Sequence, residues 1–137
     1  MIITGSLLLQ AQLYRDDNTN IVRDTVTSLQ WQDNGYPNKK WNDAIDYCSD
    51  LSLGGYTDWR LPNINELQTL VDYTKTNPAL SNVFAYGTGG GYCWSSTTSV
   101  RSNGERAWFV DFSYGEVWDY YDSKDDYNYV RCVRAGQ

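Results

Sequence analysis

Leu53-Gly54-Gly55-Tyr56-Thr57-Asp58-Trp59-Arg60-Leu61-Pro62-Asn63-Ile64-Asn65-Glu66-Leu67 decides how the chain is read, because it joins the end of one predicted helix to the start of another. Gly54 and Gly55 suit a left-handed C-terminal cap, since glycine has no Cβ to clash at positive φ. Asn63 can cap the next helix by accepting from its unpaired N–H groups. Glu66 follows three residues later, where a capping-box carboxylate reaches back.

Working outward, Trp41, Ala44, Ile45, Cys48 and Leu51 recur at helical spacing and mark the buried stripe of a first helix. Ile64, Leu67, Leu70 and Val71 do the same for a second. Upstream, residues 21–32 read as two short strands around Asp24-Thr25, with Leu29 and Trp31 alternating with polar neighbours. Gly35 to Lys39 reads as a turn. Residues 73–91 form a long connection anchored by Leu80, Val83 and Phe84 and ending in the flexible run Gly87-Thr88-Gly89-Gly90-Gly91. That run lacks the Lys-Ser/Thr end and following helix of a phosphate loop.

Beyond it, Trp108, Val110 and Phe112 alternate with Phe109 and Asp111. Ser113 to Glu116 reads as a hairpin turn, Val117 to Tyr121 as the return strand, and Tyr129 to Val133 as the strand that closes the sheet. Two helices followed by mostly strand is an α+β order. Trp31, Trp41, Trp59 and Trp108 are predicted to be largely buried, as large aromatics on apolar faces or in the helix linker.

The 137 residues suit a single domain spanning 1–137, with 1–19 an N-terminal strand or a processed segment. Ile2 to Leu9 is apolar and Gln10-Ala11-Gln12 resembles a cleavage region, but no basic residue follows Met1. No stretch approaches the ~20 apolar residues of a membrane span. A net charge of −6 argues against nucleic acid, whose phosphates it would repel, and against sulfated polysaccharides. Six Trp and twelve Tyr exceed what one small core can bury, so an aromatic surface is expected. The absence of histidine removes Ser-His-Asp and Cys-His catalysis and imidazole metal sites. Three cysteines cannot form a four-thiolate zinc site; they read as one disulfide plus one free or intermolecular thiol.

Five motifs in order resemble a known bacterial family. They are Asp24 to Asp33, Trp41 to Cys48, the Leu53–Leu67 stretch, Tyr92-Cys93-Trp94-Ser95-Ser96-Thr97-Thr98, and Tyr129-Val130-Arg131-Cys132-Val133-Arg134. Together they are similar to the family DUF1566, known from the C-terminal domain of Legionella collagen-like adhesins. The resemblance implies a C-type-lectin-like α+β fold, with two helices packed on a twisted antiparallel sheet and adjacent N- and C-terminal strands. It also implies a Cys48–Cys132 disulfide; two reduced core thiols in a cytosolic protein are the alternative. Cys93 is then a half-buried spare thiol or an intermolecular partner.

The same fold carries formylglycine-generating enzymes, which use a cysteine pair for copper. Only Cys93 and Cys132 could supply one here, and Cys132 is better explained as structural, so no catalytic residue is assigned. No cofactor is expected. Calcium at Asp119, Asp122, Asp125 and Asp126 is the one metal left open, although their spacing matches no EF-hand loop.

Ser113 to Tyr129 carries the functional expectation. It is dominated by Tyr, Ser, Asp and Asn and sets five carboxylates against Lys124 alone. Tyrosine offers rigid contact area and Ser or Asn offers adaptable hydrogen bonds, the chemistry of recognition loops. The candidate ligand-binding residues are Tyr114, Trp118, Tyr120, Tyr121, Asp122, Asp125, Tyr127 and Tyr129. The expected function is a non-catalytic binding or adhesion domain, secreted or surface-exposed, with a protein or glycan ligand. Residues 94–129 also resemble the diversified region of retroelement variable proteins. The alternative is a structural, oligomerising tip of a surface protein.

Overall fold

The computed structural model describes residues 11–136. Ile2 to Leu9, read above as a strand or signal remnant, lies outside the described residues. Among the described residues the chain is α+β, with two helices and two sheets rather than the single sheet expected. The first sheet has the order β1 (Leu13–Asp16), β2 (Ile21–Asp24), β3 (Leu29–Gln32) and β9 (Val133–Ala135), all antiparallel. The second runs β4 (Asn38–Lys39), β8 (Asn128–Tyr129), β5 (Tyr92–Thr98), β6 (Ala107–Asp111) and β7 (Glu116–Trp118). Its one parallel pairing joins β5 to β8.

The single closing strand expected over Tyr129 to Val133 is divided. β8 belongs to one sheet and β9 to the other, so residues 130–132 carry the chain between them. Strand β9 pairs with β3, and β1, the first strand among the described residues, lies at the other end of this order; Ile2 to Leu9, where an N-terminal strand was expected, falls outside them. Those two strands share a sheet without being neighbours.

Helix α1 (Trp41–Asp50) follows the predicted stripe, with Ala44 and Cys48 buried. Helix α2 (Ile64–Gln68) is shorter than expected; Leu70 and Val71 are buried beyond its end, where Val71 bridges to Leu80. The capping box is present. Asn63 Oδ1 accepts from Glu66 N at 2.8 Å and Asn63 N donates to Glu66 Oε1 at 3.0 Å.

Gly54 and Gly55 do not cap α1, whose chain turns extended at Leu51. They form a tight turn in which Leu53 and Tyr56 exchange both backbone hydrogen bonds. Gly54 sits at φ +65°, and a Cβ there would lie 2.4 Å from Ile21 Cδ1, so both conformation and space require glycine.

The rest of that linker is a set of tethers. The Arg134 guanidinium lies 3.6 Å over the Tyr56 ring and donates to both Asp58 oxygens at 2.6 and 3.1 Å. Trp59 is 3 % exposed, and Arg60 exchanges backbone hydrogen bonds with Val133. The Arg60 side chain grips Glu66 with two contacts of 2.7 Å. Each residue from Tyr56 to Leu61 except Thr57 thereby fixes the helix pair against the first sheet or buries apolar surface.

Two apolar clusters fill the interior. One gathers Val22, Trp31, Leu67, Val71, Phe84, Cys93, Val110 and Phe112. The other gathers Ile21, Ala44, Cys48, Trp59, Trp94, Ala107, Phe109 and Val130. β6 therefore has core on both faces, which defeats alternation as a guide to exposure. Trp31 and Trp59 are buried as predicted. Trp41 and Trp108 are half-buried instead, and Trp94, not singled out above, is fully enclosed.

Cys48 and Cys132 are bonded, with sulfurs 2.05 Å apart. The bridge joins α1 to the crossing segment just before β9 rather than to a strand. It closes a separation of 84 residues, which removes about 4 kcal/mol of chain entropy from the unfolded state.

Beside it lies a buried ion network. Asp33 and Arg131 are 0 % and 1 % exposed and meet at 3.3 Å. Asp33 also accepts from Arg15 Nε at 2.6 Å and from the backbone N–H groups of Ala85 and Tyr86 at 2.8 and 3.0 Å. Arg131 donates to the carbonyls of Gln32 and Tyr86 and lies 4.1 Å over the Phe84 ring. The glycine-rich run is packed here at its start, where a Cβ on Gly87 would meet Arg131 Nη2 at 2.6 Å, while Thr88 and Gly89 are exposed.

Trp59→Ala is expected to lower unfolding free energy by about 3–5 kcal/mol through cavity formation. Asp33→Ala strips Arg131 of its buried counter-charge and is expected to cost about 3–5 kcal/mol. Urea denaturation of the oxidised protein checks both; a midpoint unchanged from the parent in either variant would refute that assignment.

Candidate functional site

The candidate surface is built on the β6–β7 hairpin and the loop that follows it. β7 pairs with β6 from Asp111↔Glu116 to Phe109↔Trp118 and then stops, short of the Tyr121 expected. It stops because Asp119 turns inward, accepting from Ser99 Oγ at 3.1 Å and pairing with Arg101 at 3.3 Å. Tyr121 then adopts φ +83°, a left-handed conformation costly for a bulky side chain. Its ring meets Trp118 edge-on at 5.4 Å and Tyr120 at 4.9 Å between centroids.

The far side of the loop is held by Lys124. Its N–H donates to the Glu105 carbonyl, its own carbonyl accepts from Trp41 N, and its ammonium donates to Thr98 Oγ1 at 3.0 Å while lying 3.8 Å over the Trp41 ring. That cation–π contact keeps Trp41 half-buried beneath the loop.

At the outer edge of β7 is a groove of about 440 Å³ lined by Arg101, Trp108, Val117, Trp118, Asp119 and Tyr120. Trp108 was expected in the core. It lines this groove instead, although Val110 on the same face of β6 is buried in the core. The Arg106 guanidinium sits 5.4 Å over Tyr120. Two arginines thus approach the groove from the β5–β6 connection, so it is charge-mixed rather than uniformly acidic.

The structure brings together Trp118, Tyr120 and Tyr121 among the eight predicted residues. Tyr114, 62 % exposed, lies at the hairpin turn, and Tyr127 lies beside Lys40, whose ammonium is 5.7 Å from its ring. Asp125 is exposed in the loop, and Asp122 is half-buried. Burial pushes the Asp122 carboxyl upward, and the charge of Asp126 adds to the shift. Tyr129 stacks flat on Tyr36 at 4.5 Å and belongs to the interior side of the sheet.

Asp119, spent on Ser99 and Arg101, is withdrawn from the four carboxylates considered for calcium. Among the described residues no group of three or more acidic or thiol side chains converges as metal ligands do. As site residues, sequence reasoning missed Trp108, which alternation assigned to the core, and Arg101 and Arg106, which no periodic signal marks.

Cys93 is fully buried, not half-buried. Burial pushes its thiol up to about 11, with Arg131 and Tyr36 pulling the other way. The Tyr36 phenol is also raised, first by burial and then by Cys93.

The sequence pattern of the Lcl C-terminal domain matches residues 20–134. The chain belongs to this family. The matched span runs from β2 through β9 and contains the disulfide, the linker tethers and the aromatic loop. Comparison with curated proteins finds no match.

Because its thiol remains protonated near neutrality, Cys93 is expected to resist alkylation by iodoacetamide at pH 8 in the folded oxidised protein and to react fully in denaturant. Mass spectrometry before and after unfolding measures this. Rapid labelling of the native state would show the thiol to be accessible.

Proposed function

We propose that this domain is a non-catalytic ligand-binding module of an extracytoplasmic or surface protein, built on a C-type-lectin-like fold. The observation that carries the reading is the convergence of Trp108, Trp118 and Tyr120 on one groove, flanked by the Arg101–Asp119 pair. Exposed aromatic faces beside fixed hydrogen-bonding groups offer apolar area with orientation, which suits a sugar ring or an amphipathic protein side chain. The Tyr121 contacts hold that surface before any ligand arrives, and a preformed site loses less entropy on binding.

The non-catalytic reading is supported by three facts. The chain has no histidine, Cys132 is committed to the disulfide, and Cys93 is sealed and protonated. A copper-binding thiol pair of Cys93 with Cys132 is therefore not at hand in the oxidised protein. The disulfide and the family support an oxidising, extracytoplasmic location. The fold reading is supported by the two-helix α+β order and by the bridge from the first helix to the C-terminal segment.

A glycan and protein array, run with and without calcium, is expected to yield a ligand. Its affinity should fall at least about tenfold in Trp118→Ala and in Tyr120→Ala, while Tyr114→Ala at the hairpin turn has little effect. Tyr120 is 55 % exposed, so its variant leaves the fold intact even if Trp118→Ala does not. A ligand indifferent to Trp108, Trp118 and Tyr120 would move the binding surface elsewhere. An obligate trimer by light scattering that buries the groove would favour the structural role instead.

A further inference from the structure

The chain contains two Asn-Gly pairs, Asn34–Gly35 and Asn103–Gly104. In such a pair the backbone nitrogen of the second residue reaches the asparagine side-chain carbon most easily, because glycine has no Cβ to obstruct the approach. The structure places the two pairs in opposite circumstances.

Asn34 is held. Its Oδ1 accepts from Gln32 Nε2 at 2.9 Å, and Gln32, itself fully buried, also donates to the Tyr47 hydroxyl at 2.7 Å. The residue before it, Asp33, is buried in its contact with Arg131. Turning the Asn34 side chain toward the Gly35 nitrogen therefore breaks a bond to the core and pulls on the ion network beside it.

Asn103 and Gly104 form the tip of the β5–β6 connection, at φ +53° and +81°, the positive values that Asn-Gly accepts at both central positions of a tight turn. Glu105 N closes the turn by donating to the Ser102 carbonyl at 3.0 Å. The feet of the turn are fixed. Ser102 Oγ donates to the Ser99 carbonyl at 3.0 Å and accepts from Arg106 N at 2.9 Å, and the Glu105 carbonyl accepts from Lys124 N at 2.8 Å. The two residues between have no such ties. Both are exposed, and a Cβ added at Gly104 would meet nothing within 4 Å. Among the described residues neither the Asn103 amide nor the Gly104 N–H has a hydrogen-bond partner. An unpacked loop tip of this kind opens locally at the least cost.

We propose that Asn103 is a site of spontaneous deamidation, and that the fold directs the reaction there rather than to Asn34. The Gly104 nitrogen gives up its proton to solvent and bonds to the Asn103 side-chain carbonyl carbon. The side-chain nitrogen leaves as ammonia, and a succinimide ring closes. Water then opens the ring at the side-chain carbonyl to give aspartate, or at the backbone carbonyl to give isoaspartate, whose main chain is one carbon longer. The net change consumes one water and releases one ammonia. Either product adds a negative charge to the connection that brings Arg101 and Arg106 to the groove. The chemistry needs no ligand, so it stands apart from the reading of the groove as a binding site.

The test is peptide mapping by mass spectrometry after incubation at mildly alkaline pH, on the native oxidised domain and on the reduced, denatured chain. Isoaspartate is counted with protein isoaspartyl methyltransferase. In the native domain Asn103 is expected to convert at least about tenfold faster than Asn34, a gap that narrows to within about twofold once the chain is unfolded. Asn103→Gln, at an exposed position, is expected to keep the fold and to lose the isoaspartate signal. An Asn103 that stays intact in the native domain while the denatured chain deamidates would show that the closed turn protects it, overturning the proposal. Equal native rates at Asn34 and Asn103 would overturn the selectivity assigned to the fold.

Discussion

The buried contact between Asp33 and Arg131 is the constraint on which the two-sheet arrangement depends. Asp33 follows β3, whereas Arg131 lies in the segment that leaves the second sheet for the first. Two ions taken out of water cost several kcal/mol each, recovered only if every lone pair and N–H finds a partner. Here the carboxylate takes donors from Arg15, Ala85 and Tyr86, and the guanidinium reaches the carbonyls of Gln32 and Tyr86. Satisfying them requires β1, the end of β3, the loop before β5 and the crossing segment to be in place together. The pair therefore selects one arrangement among several that apolar burial alone would allow.

The neighbouring residue, Cys132, adds a covalent link from the same segment to α1. Gln32 completes the junction by accepting from Cys132 N and donating to the Tyr47 hydroxyl on α1. Arg134, two residues further on, ties the linker between the helices through Asp58 and Tyr56 and donates to Gln30 of β3. The short stretch from Val130 to Arg134 thus joins both sheets, both apolar clusters and the helix pair. Its side chains show why an acidic chain retains arginines at two largely buried positions.

This rigid junction leaves the β6–β7 edge and the loop after it free to vary in surface chemistry. Lys124 pins the loop with backbone and side-chain contacts, and Asp119 closes its start. Between those anchors Tyr120 and Tyr121 face solvent, as Asp125 does just beyond Lys124, without carrying the core. Such a division of labour, a fixed frame under an exposed aromatic segment, is how recognition surfaces keep both precision and tolerance to substitution.

Local chemistry in the sequence determined the first helix, the Asn63–Glu66 capping box and the mixed α+β order, because each rests on spacing within one or two helical turns. The aromatic, acidic bias of Ser113 to Tyr129 was equally legible, as composition needs no fold to be seen. The Cys48–Cys132 link was implied only through family resemblance, since three cysteines alone permit several pairings. Tertiary structure decided the rest. β6 is buried on both faces, so alternation could not say that Phe109 and Trp94 go inside while Trp108 lines a groove. Gly54 and Gly55 suit a helix cap or a tight turn equally well by conformation; α1 ends at Leu51, before them, and the paired backbones of Leu53 and Tyr56 make them a turn. Arg101 and Arg106 reach the candidate surface from the β5–β6 connection, whose position follows from the pairing of β5, β6 and β7, and cross-strand register is set by the packed whole rather than by any local run of residues.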